Sequence, residues 1–245
     1  MRSRTGALFP RYLVLIIFST LVLLPIVGLF LGAFKTDSQI IAGPFSLPST
    51  FELDNFTKAW TTGRFGIFFK NSVIVATAVV LVSVFLSMVT GYAFSWLPLP
   101  GKSWLLPLVL LGYMVPFEAM VIPLYRLMST LGLRDTYWAL ILPQIGLSVS
   151  FGTYWMSSFF ESFPEELVDA ATIDGCSRWQ TLWRVLFPNS KPALTTLIVL
   201  VFMWTWNEFL LALVLVQEES LRTLPVGLAF FQGRYSANIP QLAAA

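Results

Sequence analysis

Apolar residues gather in five long runs, roughly 12–34, 72–96, 103–125, 137–160 and 192–216, each bounded by charge, proline or glycine. A hydrocarbon core of roughly 30 Å needs about 20 apolar residues at about 1.5 Å rise each, so every run predicts a transmembrane helix. A last apolar stretch, Ile239 to Ala245, begins like a helix and holds no charged residue to end it. It predicts the start of a sixth span near residue 237, with the native chain continuing for about 20 residues more. The expected fold is an all-α integral membrane bundle, one transmembrane domain over residues 1–245 with six helices, five complete here and the sixth truncated.

Composition agrees: the chain is 56% hydrophobic and 11% charged, with a mean hydropathy of +0.75. A soluble domain of that make-up would expose large apolar patches, so lipid is the solvent. The first run has 23 residues, too long for a cleaved signal, and reads as a span. The net charge of +2 has no basic stripe behind it, which excludes nucleic acid as a partner. There is no histidine and a single cysteine, Cys176, so His-based metal sites and Ser-His or Cys-His dyads are excluded. No catalytic or metal-ligating set is expected. Gly101-Lys102-Ser103 imitates the end of a phosphate-binding loop, but the glycine that motif requires would fall on Trp96. Gly146-Leu147-Ser148-Val149-Ser150 imitates a nucleophile elbow without its last glycine or a histidine base.

Basic residues divide evenly between the two sets of loops. Three arginines, Arg2, Arg4 and Arg11, flank the first span, and the first span usually dominates, so the amino terminus is assigned to the cytoplasm. Small residues recur at helix-packing spacing, namely Gly28 and Gly32, Ser83, Ser87 and Gly91, and Ser148 and Gly152. Static close packing is the expected role.

The segment 161–191 departs from a simple connection. Ser162-Phe163-Pro164-Glu165 reads as a capping box that starts a helix through Glu166, Asp169, Ala170 and Ala171, and Gly175 reads as its left-handed cap. Ser177 to Gln180 repeats the capping pattern, and Trp179, Leu182, Trp183 and Leu186 then mark one face of a second helix that stops before Pro188. Periodicity alone fits a presented docking surface and a helix lying in the headgroup region equally well.

Asp169-Ala170-Ala171, Gly175 four residues after Ala171, then nine residues to Val185-Leu186-Phe187-Pro188, resembles the signature loop of bacterial ABC importer permeases, with Asp for Glu, Val for Ile and Phe for Leu. Asn71-Ser72, Trp206-Asn207-Glu208-Phe209 and Leu224-Pro225-Val226-Gly227-Leu228 look like the carbohydrate-uptake branch related to the smaller maltose permease. The resemblance implies that 161–191 is cytoplasmic and that Glu165, Glu166, Asp169, Ala170, Ala171, Gly175 and Pro188 belong to an ATPase-docking loop. It also implies a second homologous permease, two ATPase subunits holding ATP and Mg, an extracytoplasmic binding protein and a carbohydrate substrate. The chain itself would carry no cofactor and hydrolyse nothing, and would sit in a bacterial or archaeal cell membrane.

Ionisable groups deep in a span are costly, which makes Glu118 and Glu208 candidates for the substrate pathway. Trp204, Asn207, Glu208 and Leu211 fall on one face of the fifth helix, an aromatic platform beside hydrogen-bonding groups that suits a sugar ring. Helix-to-helix glue explains Asn207 and Glu208 equally well. Glu118 lies between Pro116 and Pro123, where a kink is expected, and Gln144 beside Pro143 is a similar candidate. The last loop, 217–236, corresponds to the region that meets the binding protein in the maltose-type permease, with Arg222, Gln232, Arg234 and Tyr235 as candidate contacts. An ion-driven secondary transporter using Glu118 and Glu208 is the alternative, but its usual repeated halves and broken helices are not evident in the sequence.

Overall fold

The computed structural model describes residues 8–43, 45–234 and 239–244, with side chains from 10 to 231, residue 44 aside, and from 239 to 244. It is helical throughout, with no strand among the described residues. Two compact units emerge: residues 1–66 with 227–245, and residues 67–226.

In the first unit, α1 (Leu8–Ala33) is followed by α2 (Asp37–Ala42) and α3 (Asp54–Thr62). The segment after α1, expected to be a polar loop, is folded, because Lys35 is fully buried there. Its ammonium donates to the Gly43 carbonyl at 2.8 Å and to Ser46 Oγ at 3.2 Å, while Asn55 Nδ2 donates to the carbonyls of Ala33 at 3.0 Å and Lys35 at 2.9 Å. A buried charge is tolerable only with such partners. None of the apolar window in Pro10–Gly32 is buried, as expected of a helix whose solvent is lipid.

In the second unit, α4 (Phe65–Trp96) begins seven residues before the apolar run that predicts it. Among the described residues only Pro10–Gly32 and Phe65–Trp96 are each long and apolar enough to cross a membrane alone. The third run is a correction. It divides into α5 (Lys102–Met114) and α6 (Phe117–Thr130), bent by 91°. Pro116 forces Val115 into extended backbone (φ −67°, ψ 126°), so the helix ends before it and restarts after it. The fourth run forms α7 (Tyr137–Glu161) as expected.

Helices α4 and α7 share a seam. A methyl on Gly91 would lie 2.6 Å from Met156 Cβ, and one on Gly152 would collide with Ser87. Thr90 and Thr153 hydroxyls bond at 2.7 Å, Ser95 Oγ donates to the Ser157 carbonyl at 3.0 Å, and Trp96 Nε1 to the Phe160 carbonyl at 3.2 Å. The small residues Ser87 and Gly91 of α4 and Gly152 of α7 thus have the close-packing role expected of them.

Beyond α7 come α8 (Glu165–Ile173), then one helical stretch, Arg178–Asn189, made of α9 (Arg178–Gln180), a π-helical turn (Thr181–Leu186) and α10 (Phe187–Asn189). An 80° bend at Ser190 leads into α11 (Lys191–Trp206). The fifth run also breaks: α11 ends at Trp206 and α12 (Leu210–Leu215) follows. A short 3₁₀ turn (Glu219–Leu221) precedes α13 (Leu224–Arg234), so the expected last loop is largely helical; α14 (Ile239–Ala244) closes the described chain.

Candidate functional site: a cavity at the helix breaks and a presented helix

The breaks in the third and fifth runs open onto one cavity of about 440 Å³. Tyr113, Val115, Pro116 and Phe117 line it from the α5 and α6 break, Gln144 and Ser148 from α7, Trp204 and Thr205 from the end of α11, and Glu208 from the break after it. Ending a helix inside a bundle frees backbone groups, which is tolerated only beside protein partners or a water-filled space. Glu208 supplies one such partner, its Oε1 accepting the Leu211 amide at 2.8 Å, three residues on as in a helix N-cap. Gln144 Nε2 donates to the Leu140 carbonyl at 3.0 Å. Along the α7 side, Phe151 stands edge-on to Trp204 at 5.0 Å and packs against Tyr113 at 5.6 Å.

Of the pathway candidates, the cavity therefore gathers Gln144, Trp204 and Glu208. Glu118 is excluded: it sits in the first turn of α6 with its side chain exposed and does not line the cavity. Asn207 is also outside. The helix ends one residue earlier, and the exposed Asn207 amide turns back to the Met203 carbonyl at 2.7 Å. Leu211 is fully buried in the core. The expected common face of Trp204, Asn207, Glu208 and Leu211 fails because it presumes a helix that continues through Asn207. Tyr113, Phe117 and Thr205 escaped sequence reasoning; the backbone restriction before Pro116 is a signal for Tyr113 and Phe117, and Thr205 in α11 has none.

At the far end of α7, α8 is held on one side only. Ala171 is 5% exposed, and Leu167 and Val168 pack on the core, while Glu165, Glu166, Asp169 and Ala170 are exposed and Ile173 is 86% exposed. The expected capping box at its start is absent. Ser162 closes α7 instead, its hydroxyl donating to the Phe159 carbonyl, and Pro164 occupies the cap position, leaving Glu165 as the first helical residue. The end is as expected. Gly175 takes φ +78°, which lets Cys176 N–H reach the Ala171 carbonyl at 2.9 Å and Gly175 N–H the Thr172 carbonyl at 3.0 Å, the paired bonds of a Schellman cap.

The second capping box is present, with Ser177 and Gln180 bonded reciprocally. Leu182 and Leu186 are fully buried and Trp183 stacks on Phe85 of α4 at 6.3 Å, but Trp179 is 55% exposed and leaves the anchoring to the other three. The π-helical turn carries the helix past Pro188, which lies within α10 rather than after it.

A family model described as the inner membrane component of binding-protein-dependent transport systems matches residues 83–245, two thirds of the chain. This chain belongs to that family. Among its relatives, the ABC transporter permease YurM of Bacillus subtilis (strain 168) is 38% identical over 208 residues, covering 85% of this permease and 69% of the relative. The arabinooligosaccharides transport system permease AraQ of Halalkalibacterium halodurans is 34% identical over 218 residues, covering 87% and 77%. A chain from the crystal structure of a bacterial ABC transporter that imports the acidic polysaccharide alginate has the same fold, with a TM-score of 0.82 at 24% identity, over 100% of this permease and 92% of that chain. The permease is thus a transport subunit of the ABC importer class. Broken spans, common in ion-driven transporters, occur here within an importer fold, and nothing in the family match favours that alternative.

Of the last set of candidates, Arg222 donates through Nη2 to the Gln217 carbonyl at 3.3 Å. Gln232 and Arg234 lie in α13 with side chains outside the described residues, as is Tyr235 altogether.

Proposed function

We propose that this permease forms half of the path through which an importer, loaded by an extracytoplasmic binding protein, passes a carbohydrate. The cavity at the helix breaks carries this reading. It combines aromatic faces, Trp204 and Tyr113, with the hydrogen-bonding groups of Gln144, Ser148, Thr205 and Glu208, the mixture that sugar rings require. The naming of relatives for arabinooligosaccharides and alginate supports the substrate class.

The rest of the assembly follows from the same reading: a second homologous permease, two ATPase subunits that bind ATP and Mg, and a cytoplasmic amino terminus that puts α8 inside the cell. Six spans would be counted as α1, α4, the pair α5 and α6, α7, the pair α11 and α12, and a last one that α14 opens. Glu165, Glu166, Asp169 and Ala170 on the exposed face of α8 would meet the ATPase, with Ala171 and Gly175 fixing that face. Closure of the ATPases would push α8 as a rigid lever on α7.

Glu208→Gln tests the cavity. In reconstituted importer, uptake of labelled oligosaccharide is expected to lose about tenfold in apparent affinity, since one charge-assisted hydrogen bond is worth roughly 1.5 to 3 kcal/mol. Asn207→Ala, outside the cavity, is expected to leave apparent affinity within about twofold and to cost about 1 kcal/mol of stability from the lost carbonyl partner. Unchanged affinity in Glu208→Gln would remove the cavity from the path.

A further inference from the structure

At the end of α7 opposite α8, three separate pieces of the second unit are tied by side-chain hydrogen bonds. Asn71 at the head of α4 is 1% exposed and uses both ends of its amide. Its Nδ2 donates to the carbonyls of Ser220 at 2.8 Å and Arg222 at 2.9 Å, and its Oδ1 accepts from the Tyr137 hydroxyl, the first residue of α7, at 2.6 Å. Next to it, Ser72 Oγ accepts the Leu224 amide at 2.9 Å. From the loop before α7, Asp135 Oδ1 accepts the amides of Gln217 at 2.6 Å and Glu218 at 3.0 Å, while its own amide donates to the Leu215 carbonyl at 3.2 Å.

Asp135 reaches this position with φ +54°, one of two non-glycine residues in the left-handed region among those described. Such a conformation costs free energy and persists where the surroundings hold it in place, commonly at functional sites. Here it aims a carboxylate at two consecutive backbone amides. Segment 217–223 packs through Leu221, which lies against the core, and the buried Thr223, while Gln217 and Glu218 are exposed and a single 3₁₀ turn is its only regular structure. Beside that packing, Asn71, Ser72 and Asp135 tie its backbone to α4 and to the loop before α7.

The same α7 that begins at Tyr137 ends at Glu161, three residues before α8. At about 1.5 Å per residue it is a rod roughly 37 Å long with the clasp at one end and the presented helix at the other. Resting on the reading of α8 as the ATPase-docking helix, we propose that Asn71, Asp135 and Tyr137 are positioning residues that clasp segment 217–223 to the heads of α4 and α7. A push received at α8 is then delivered, through α7, to the segment on the opposite face of the membrane, where the binding protein docks. Without the clasp, α7 would still move and the segment would not follow.

The amides of Gln217, Glu218 and Leu224 are clasp donors, so hydrogen exchange reads the clasp directly. The experiment uses the complete importer in nanodiscs and compares exchange with and without ATP and vanadate, in the wild type, Asn71→Ala, Asp135→Asn and Tyr137→Phe. In the wild type, trapping is expected to change exchange both at 165–175 and at 217–224. In Asn71→Ala, exchange at 217–224 is expected to be about tenfold faster without nucleotide, as befits the loss of three net hydrogen bonds, and its response to trapping is expected to disappear while the response at 165–175 persists. Tyr137→Phe removes only a hydroxyl, and serves as the test if Asn71→Ala fails to assemble; a reduced response at 217–224 with a normal one at 165–175 is expected. If 217–224 responds equally in wild type and variants, or fails to respond in the wild type while 165–175 does, the clasp is wrong. If 165–175 does not respond in the wild type, the docking reading is wrong, and the clasp falls with it.

Discussion

Ala171→Arg is expected to lower uptake by about 100-fold or more while the subunit still inserts in the membrane. Ala171 is the one residue of α8 that is buried, and its methyl sits where the exposed acidic face is set against the core. An arginine there either buries an unpaired charge, at a cost of several kcal/mol, or swings α8 off its support. Because the apolar runs that direct insertion are untouched, protein levels in isolated membranes should match the wild type. ATPase activity is the informative measurement: the complex should either lose its ATPase subunits or hydrolyse ATP without transport. Gly175→Val is expected to act in the same direction and more weakly. No atom lies within 4 Å of a side chain at Gly175, so the penalty is confined to the left-handed backbone, about 1 to 2 kcal/mol, and fraying of the Schellman cap. Normal coupled transport in both variants would remove α8 from the transmission.

The seam between α4 and α7 should give the largest loss of stability. For Gly152→Leu and Gly91→Leu, even the first side-chain atom meets its neighbour too closely: at Gly91 it would lie 2.6 Å from Met156 Cβ and 3.0 Å from the Met156 and Ser157 backbones. Backbone cannot move aside as a flexible side chain can, so the helices must separate. That would break the Thr90 to Thr153 and Ser95 to Ser157 bonds as well. A loss of about 3 kcal/mol or more is expected, seen as a fall of roughly 6 to 12 °C in the melting temperature of purified protein. Gly146 is the internal control. It lies in the same helix with nothing within 4 Å of an added methyl, and Gly146→Ala should be neutral or stabilising by up to about 1 kcal/mol. Equal melting temperatures for Gly146→Ala and Gly152→Leu would contradict the seam.

This contrast between glycines marks what a single sequence can and cannot convey. Gly175 was readable, because a left-handed cap is a local demand: a helix must end there, and the residues on either side say so. Gly91 and Gly152 were readable as a spacing, but which helices they join depends on where a second strip of small residues lies, and that is a property of the assembled bundle. Ser162 to Glu165 shows the reverse case. The local pattern of a capping box was complete, yet α7 continued far enough for Ser162 to serve as its end, and Pro164 took the cap instead. Local motifs compete for the same backbone groups, and the longer helix won.

The candidate site divides along the same line. The presented helix α8 depends on a fixed spacing of Ala171, Gly175 and the apolar residues after it, and spacing survives in sequence. The cavity depends on where helices stop. An apolar run measures hydrophobic length alone, and 103–125 and 192–216 are apolar whether or not the backbone within them is continuous. Glu118 and Asn207 fall outside the cavity for that reason, and Gln144, Trp204 and Glu208 converge only because α5 and α11 end beside α7. The clasp is the extreme case, since Asn71, Asp135 and Arg222 lie up to about 150 residues apart along the chain.

By itself, then, the sequence determined that this chain is helical, that its solvent is lipid, and that a presented helix ends at a left-handed glycine cap at Gly175, because hydropathy, capping chemistry and motif spacing are local quantities. The tertiary structure alone decided that the fifth run breaks after Trp206, which polar groups share a cavity, and which side chains tie 217–223 to α4 and α7. Those follow from unsatisfied backbone groups seeking partners across the bundle, and a one-dimensional pattern carries no record of which partner is near.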